Sequence, residues 1–227
     1  MNRFEPRRTF RPIAVILMLS AALALAAVGA VRAGAAGPTA SPAASGEATP
    51  VATAIATFAT GCFWCTESDF DKVPGVLATT SGYIGGKTAN PSYESVSTGR
   101  TGHIEALQVT YDPSKVTYQK LLTWFWRHVD PVDGGGQFCD RGDQYRPAIF
   151  VHSAEQRKLA ETSRDELAKS GLLERPIAVA IIDATKFHPA EDYHQDYYLK
   201  SPLRYKIYRH GCGRDQRIEQ IWSKAQG

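Results

Sequence analysis

AIATFATGCFWCTESDF, residues 54–70, reads as a strand, a break and a helix. AIATFAT, residues 54–60, is short, apolar and partly β-branched, which predicts a strand. Gly61 ends it. Residues 62–72 read as a helix with Glu67, Asp69 and Asp71 on its wet side. Cys62 therefore opens a helix, where unpaired N–H groups carry partial positive charge. That setting favours a thiolate and so a nucleophile. The plain alternative is a small buried core cysteine.

Cys65 completes a C-x-x-C spacing and admits three readings. A thioredoxin-like pair needs a thioredoxin fold around it, for which the chain gives no convincing match. A zinc site needs four ligands, commonly two close pairs, and Cys139 and Cys212 are isolated, so no metal is expected. The third reading is a helper thiol or core residue one turn along. Phe63 and Trp64 are by default core residues, or else a small apolar pocket beside the Cys62 sulfur.

The 227 residues are 43% hydrophobic and 22% charged, enough for one domain with a core. Four cysteines are too few to staple a fold of this length. Residues 1–33 have the order of a secretory signal peptide: Arg3, Arg7, Arg8 and Arg11, an apolar run at 13–30, then small residues ending at Ala33. Arg7 and Arg8 hint at twin-arginine export. The alternative is a membrane anchor, since the run is long enough to span a bilayer. Without the leader, 21 basic residues face 22 acidic ones, so nothing argues for nucleic acid. Residues 34–53 are small, polar and Pro-containing, a flexible linker. The folded domain is expected over 54–227 in an exported, periplasmic or otherwise extracytoplasmic protein.

Further strands are expected at 76–82, 103–111, 147–152 and 176–183. Helices are expected at 117–128, between Ser153 and Gly171, and from Gly213 onward, after aromatic turns. Residues 129–145 form a long Gly- and Asp-rich loop, a length usually functional or disordered. The interleaving predicts an α+β two-layer sandwich with a mixed central sheet, a ferredoxin-like plait with extended loops and a C-terminal tail.

Within 103–111 the alternation puts Glu105 on a largely apolar face with Leu107, Val109 and Tyr111. A carboxyl there is desolvated and holds a proton near neutrality; alone, a surface glutamate in an ion pair is the simpler reading. Tyr83, Asp140, Tyr145 and His194 are each bland taken singly.

Taken in order, however, GCFW-x-x-E at 61–67, PGV at 74–76, SGYIGG at 81–86, NPSYESVSTGRTGHIEA at 90–106, QYR-x-AIF at 144–150 and AEDYHQ at 190–195 resemble the peptide methionine sulfoxide reductases of the A class. The resemblance covers about residues 54–222. It implies reduction of the S epimer of methionine sulfoxide, free or in oxidised proteins. It implies Cys62 as nucleophile, Glu105 as acid to the sulfoxide oxygen, and Tyr83 and Tyr145 as hydroxyl donors to it. Asp140 would support the site, Phe63 and Trp64 would hold the substrate methyl group, and His194 would line the site. The nucleophile would become a sulfenic acid and then a disulfide. No bound cofactor is implied, only an external thioredoxin-like dithiol as reductant.

Many relatives have glycine at position 65. Cys212, between glycines in the tail, ranks ahead of Cys65 as the resolving thiol. Cys139 is third, or pairs with Cys212 as a structural bond. The domain is expected to act as a monomer. A general C-x-x-C thiol–disulfide oxidoreductase, a non-catalytic module binding oxidised methionine and a zinc-stabilised domain are the rival readings.

Overall fold

A computed structural model describes residues 52–223. The expected signal peptide at 1–33 lies outside the described residues, as does all of the linker before residue 52. The chain divides into Met1–Glu47 and Ala48–Gly227, and everything below concerns the second unit.

Its sheet holds six strands, β1 (Ala54–Ala59), β2 (Val76–Ile84), β3 (Ile104–Tyr111), β6 (Ala148–Val151), β7 (Ala180–Asp183) and β8 (His188–Pro189). Their spatial order is β7-β6-β1-β3-β2-β8. All neighbours are antiparallel except β6 and β7, so the sheet is mixed, as expected. Among the described residues seven α-helices accompany it: α1 (Phe63–Phe70), α2 (Tyr93–Ser97), α3 (Tyr118–Trp126), α4 (Ala154–Lys169), α5 (Tyr197–Lys200), α6 (Pro202–Gly211) and α7 (Arg214–Ser223). The loop after α3 is partly ordered by a short hairpin of β4 (Gly136–Gln137) and β5 (Asp140–Arg141).

Strand alternation sorts the two faces. On one, Phe58, Leu107, Val109 and Ile149 meet Phe70, Leu121, Leu122, Phe125 and Trp222 from the helices. Phe58 is the hub, stacked on Phe70 at 5.0 Å and Phe125 at 5.4 Å between ring centroids. Truncating such a ring to alanine costs about 3–5 kcal/mol. On the other face Ile84, Ile104, Ala106, Ala148 and Phe150 are covered by Ile182, Ala184 and Phe187. The strands in the middle of the sheet are thus buried on both sides, which explains their apolar runs.

Two expectations for the helices change. Glu67 and Asp69, read as a wet face, are buried, because the C-terminal segment packs over α1. Glu67 accepts the Asp196 amide at 2.8 Å, and Asp69 accepts Arg209 Nη1 at 2.9 Å. Asp71 alone of the three stays exposed. The aromatic turns expected before α7 are largely helix: α6 starts on Pro202, whose fixed φ suits the first helical position, and ends on Arg209 and His210, which suit its negative end.

Candidate active site

The β1–α1 connection is a tight turn through Gly61, at φ +88°. A side chain there would meet Gln137 Cβ at 2.6 Å, so only glycine fits. The turn delivers Cys62 to the N-cap of α1, where its carbonyl accepts the amides of Cys65 and Thr66 at 3.1 and 3.2 Å.

The first free amide of the helix, that of Phe63, donates to Glu105 Oε2 at 3.1 Å. Glu105 is the second residue of β3, 2% exposed. Burial pushes its carboxyl up to about 8, with the Phe63 amide pulling the other way, so it holds its proton at neutral pH.

Cys62, Phe63, Trp64, Tyr93, Glu105, Asp140, Tyr145 and Tyr208 line one cleft of about 120 Å³. Tyr145 ends a 3₁₀ turn at 143–145 just before β6. Burial raises the phenols of Tyr93, Tyr145 and Tyr208, so all three face the cleft as neutral hydroxyls. Tyr208, on α6, donates its hydroxyl to Asp140 Oδ2. Trp64 is braced from behind: its ring stacks on Tyr197 at 3.8 Å, and its Nε1–H donates to His194 Nδ1 at 3.0 Å. That bond makes Nδ1 the acceptor, so the single N–H proton of a neutral imidazole sits on Nε2, turned toward Glu191 Oε2 at 4.0 Å, and burial holds the His194 pKa below its ordinary value.

Cys62, Glu105, Tyr145, Asp140, Phe63 and Trp64 thus converge, while two expected residues stand behind the cleft. His194 buttresses Trp64. Tyr83, fully buried and opposite Glu105 in the sheet, spends its hydroxyl on Glu191 Oε2 at 2.9 Å. The other Glu191 oxygen accepts the Tyr93 amide at 2.8 Å. Glu191 therefore couples Tyr83 to Tyr93, and Tyr93 is the ring that reaches the cleft. Sequence reasoning singled out none of Tyr93, Tyr208 and Glu191. Tyr93 and Glu191 lay inside quoted motifs, NPSYES and AEDYHQ, but Tyr208 carried no signal of its own.

Among the readings offered for the cysteines, the structure has the Cys139–Cys212 pair rather than a free Cys212. Joined in that disulfide, Cys212 has no free thiol to offer. Cys62 and Cys65 are free and buried. The expected thiolate at Cys62 is not the resting form. Burial first, then the hydrogen bond with Cys65 and negative charge at Cys65, push its thiol well above the ordinary value, and Glu105 and Asp140 add to this once ionised. These outweigh the helix end, whose first amide is already given to Glu105. Cys65 is instead held down to about 7, first by the hydrogen bond with Cys62, against its burial, and then by Arg214 and Arg209.

Residues 54–226 match the family described as peptide methionine sulfoxide reductase. The chain belongs to that family. A peptide methionine sulfoxide reductase MsrA of Bacillus licheniformis is 53% identical over 170 residues, 75% of this chain and 94% of the relative. A peptide methionine sulfoxide reductase MsrA/MsrB of Vibrio cholerae is 54% identical over 167 residues, 74% of this chain but only 44% of that longer protein. Among solved structures, reduced Mxr1 from Saccharomyces cerevisiae superposes with a TM-score of 0.63 at 34% identity, covering 68% of this chain and 89% of the yeast one. The fold assigned to this reductase domain agrees with that likeness.

Proposed function

We propose that this domain reduces methionine S-sulfoxide, free or in oxidised proteins, as a peptide-methionine (S)-S-oxide reductase. The observation that carries the reading is a buried Glu105 held by the Phe63 amide in the same cleft as the Cys62 sulfur, where burial pushes its carboxyl up to about 8. A sulfoxide oxygen leaves sulfur poorly unless it is protonated and hydrogen-bonded. Glu105 supplies the proton, and Tyr145 and Tyr93 supply hydroxyl donors where negative charge develops. Phe63 and Trp64 hold the methyl group. Asp140, fixed by Tyr208, completes the polar wall.

In the first half-reaction the Cys62 sulfur attacks the sulfoxide sulfur, passing its proton to the Cys65 thiolate. Oxygen transfers to Cys62, which becomes a sulfenic acid as methionine leaves. In the second, the Cys65 sulfur attacks Cys62, the S–O bond breaks and water departs, leaving a Cys62–Cys65 disulfide. An external thioredoxin-like dithiol reduces that bond by exchange. Cys65 takes the resolving role here because it neighbours Cys62 while Cys212 is bonded to Cys139. The Cys139–Cys212 bond is structural.

The working unit is a single chain, since one chain supplies every cleft residue. We further infer that residues 1–33 are a cleaved export signal and that the enzyme repairs proteins in an extracytoplasmic, periplasmic-type compartment. The basic, apolar and small-residue order of the leader supports this, as does a structural disulfide, which persists in oxidising surroundings. The mass of the mature chain tests the export reading; an intact N-terminus contradicts it.

The activity is tested by a stereospecific assay on both sulfoxide epimers with a chemical dithiol, Cys62→Ser serving as control. Reduction of the S epimer, abolished by Cys62→Ser, is expected. Reduction of the R epimer alone would refute the reading. Disulfide exchange without sulfoxide reduction would favour a general oxidoreductase.

A further inference from the structure

Arg214 is the one arginine or lysine fully buried among the described residues, at 1% exposure. No carboxylate lies within ion-pair distance of it there. Its guanidinium donates to the Thr60 carbonyl at 2.8 Å, the His128 carbonyl at 3.1 Å and Thr60 Oγ1 at 3.5 Å, and lies 4.3 Å from the Phe138 ring centroid. Burying a cation without a paired anion costs several kcal/mol. Three neutral acceptors and an aromatic face offset only part of that, so the position calls for a role.

The role follows from what Arg214 touches. Thr60 directly follows β1, between its last residue, Ala59, and the Gly61–Cys62 turn. Thr60 Oγ1 and Thr66 Oγ1 are 2.7 Å apart, and Thr66 Oγ1 donates to the Cys62 carbonyl at 3.1 Å. Arg214, Thr60, Thr66 and Cys62 thus form one continuous polar chain behind the turn. We propose that Arg214 is the positioning residue of the redox pair: it braces the Thr60–Gly61 turn that presents Cys62, and it supplies a buried positive charge behind Cys65. This inference rests on Cys65 acting as the resolving thiol.

The charged and titratable groups facing Cys65 come from four elements. Cys62 and Asp69 belong to α1 and its cap, Glu105 to β3, Tyr205, Tyr208 and Arg209 to α6, and Arg214 to α7. Arg209 is already tied to Asp69, Asp215 and the Tyr205 hydroxyl. Arg214 makes no ion pair with a carboxylate among the described residues; its charge acts on Asp140 and Asp215 at longer range and on Cys65. With it in place Cys65 is an anion near neutral pH, ready first to take the Cys62 proton. After that transfer, the Cys65 thiol loses its proton to the departing hydroxide of the Cys62 sulfenic acid as the disulfide closes and water leaves.

The test measures, across pH, alkylation of Cys65 by peptide mapping and the rate of Cys62–Cys65 disulfide formation after one equivalent of sulfoxide. In Arg214→Gln the alkylation midpoint should rise by about one unit and disulfide formation at pH 7 should slow roughly fivefold. In Arg214→Lys, which keeps the charge, the midpoint should stay within a few tenths of a unit. Equal midpoint shifts in both variants, or a shift in neither, would overturn the proposal. Should Arg214→Gln not fold, Thr60→Val interrupts the polar chain while leaving the charge; it should slow disulfide formation severalfold with the midpoint unmoved, and an unchanged rate would overturn the brace. Failure of the Cys62–Cys65 bond to form in the unsubstituted protein would count against Cys65 as resolver, while the alkylation midpoints would still report on Arg214.

Discussion

The Phe63 amide donates to Glu105 Oε2 at 3.1 Å, so the first residue of α1 is tied to the start of β3. One hydrogen bond places the acid beside the nucleophile that immediately precedes Phe63. Glu105→Gln keeps the shape and removes the proton donor. Sulfoxide reduction should fall about a hundredfold or more, the usual contribution of a positioned acid, while substrate affinity changes little. Steady-state kinetics with a dithiol checks this.

The pH profile should be bell-shaped. Glu105 works protonated, so activity is lost as pH rises through about 8. Cys65 works as a thiolate, so activity is lost as pH falls through about 7. The two limbs belong to an interacting set, and their midpoints are apparent values. Stability has its own sign. The folded protein raises the Glu105 pKa, so the unfolded chain releases that proton first. The resulting stability contribution is full below pH 4.5 and shrinks as pH rises to about 8. Glu105→Gln should therefore flatten the thermal-stability profile across that window.

The tyrosines should separate by position. Tyr145→Phe and Tyr93→Phe remove hydroxyls lining the cleft and should lower kcat on the order of tenfold each. Tyr83→Phe removes a hydroxyl bonded to Glu191 behind the cleft. It should cost about 1 kcal/mol of stability and a smaller share of kcat. A larger kcat loss for Tyr83→Phe than for Tyr145→Phe would place the donors differently. Measuring kcat and Tm on the three variants decides it.

The Cys139–Cys212 bond spans 73 residues of chain. Closing a loop of that length restricts the unfolded chain by about 4 kcal/mol. The double variant Cys139→Ala/Cys212→Ala should lose on the order of 10 °C in Tm, read by calorimetry. It should still close a disulfide between Cys62 and Cys65.

Much of this was legible in the sequence, for identifiable reasons. Strand, glycine and helix at 54–70 followed from local pattern, and the alternation put Glu105 on an apolar face, though only the resemblance gave it a role. Contacts made by the C-terminal segment were not legible. Glu67 and Asp69 look like a solvated helix face until α5 and α6 cover them, and Tyr208 reaches the cleft only because α6 packs there. The placing of the tyrosines was not legible either: Tyr83 and Tyr93 both sit in motifs, and only the packing gives the Tyr83 hydroxyl to Glu191 while Tyr93 lines the cleft. The Cys62 thiol failed for a subtler reason. A helix N-terminus promises a thiolate, but burial and nearby negative groups, Cys65 among them, reverse the sign.

The most direct test of Cys62 as nucleophile and Cys65 as its partner is disulfide mapping by mass spectrometry after one turnover on methionine S-sulfoxide, with no reductant present. The expected product is a Cys62–Cys65 disulfide, with the Cys139–Cys212 bond intact and one equivalent of methionine released. A Cys62–Cys212 disulfide with Cys139 freed would contradict it.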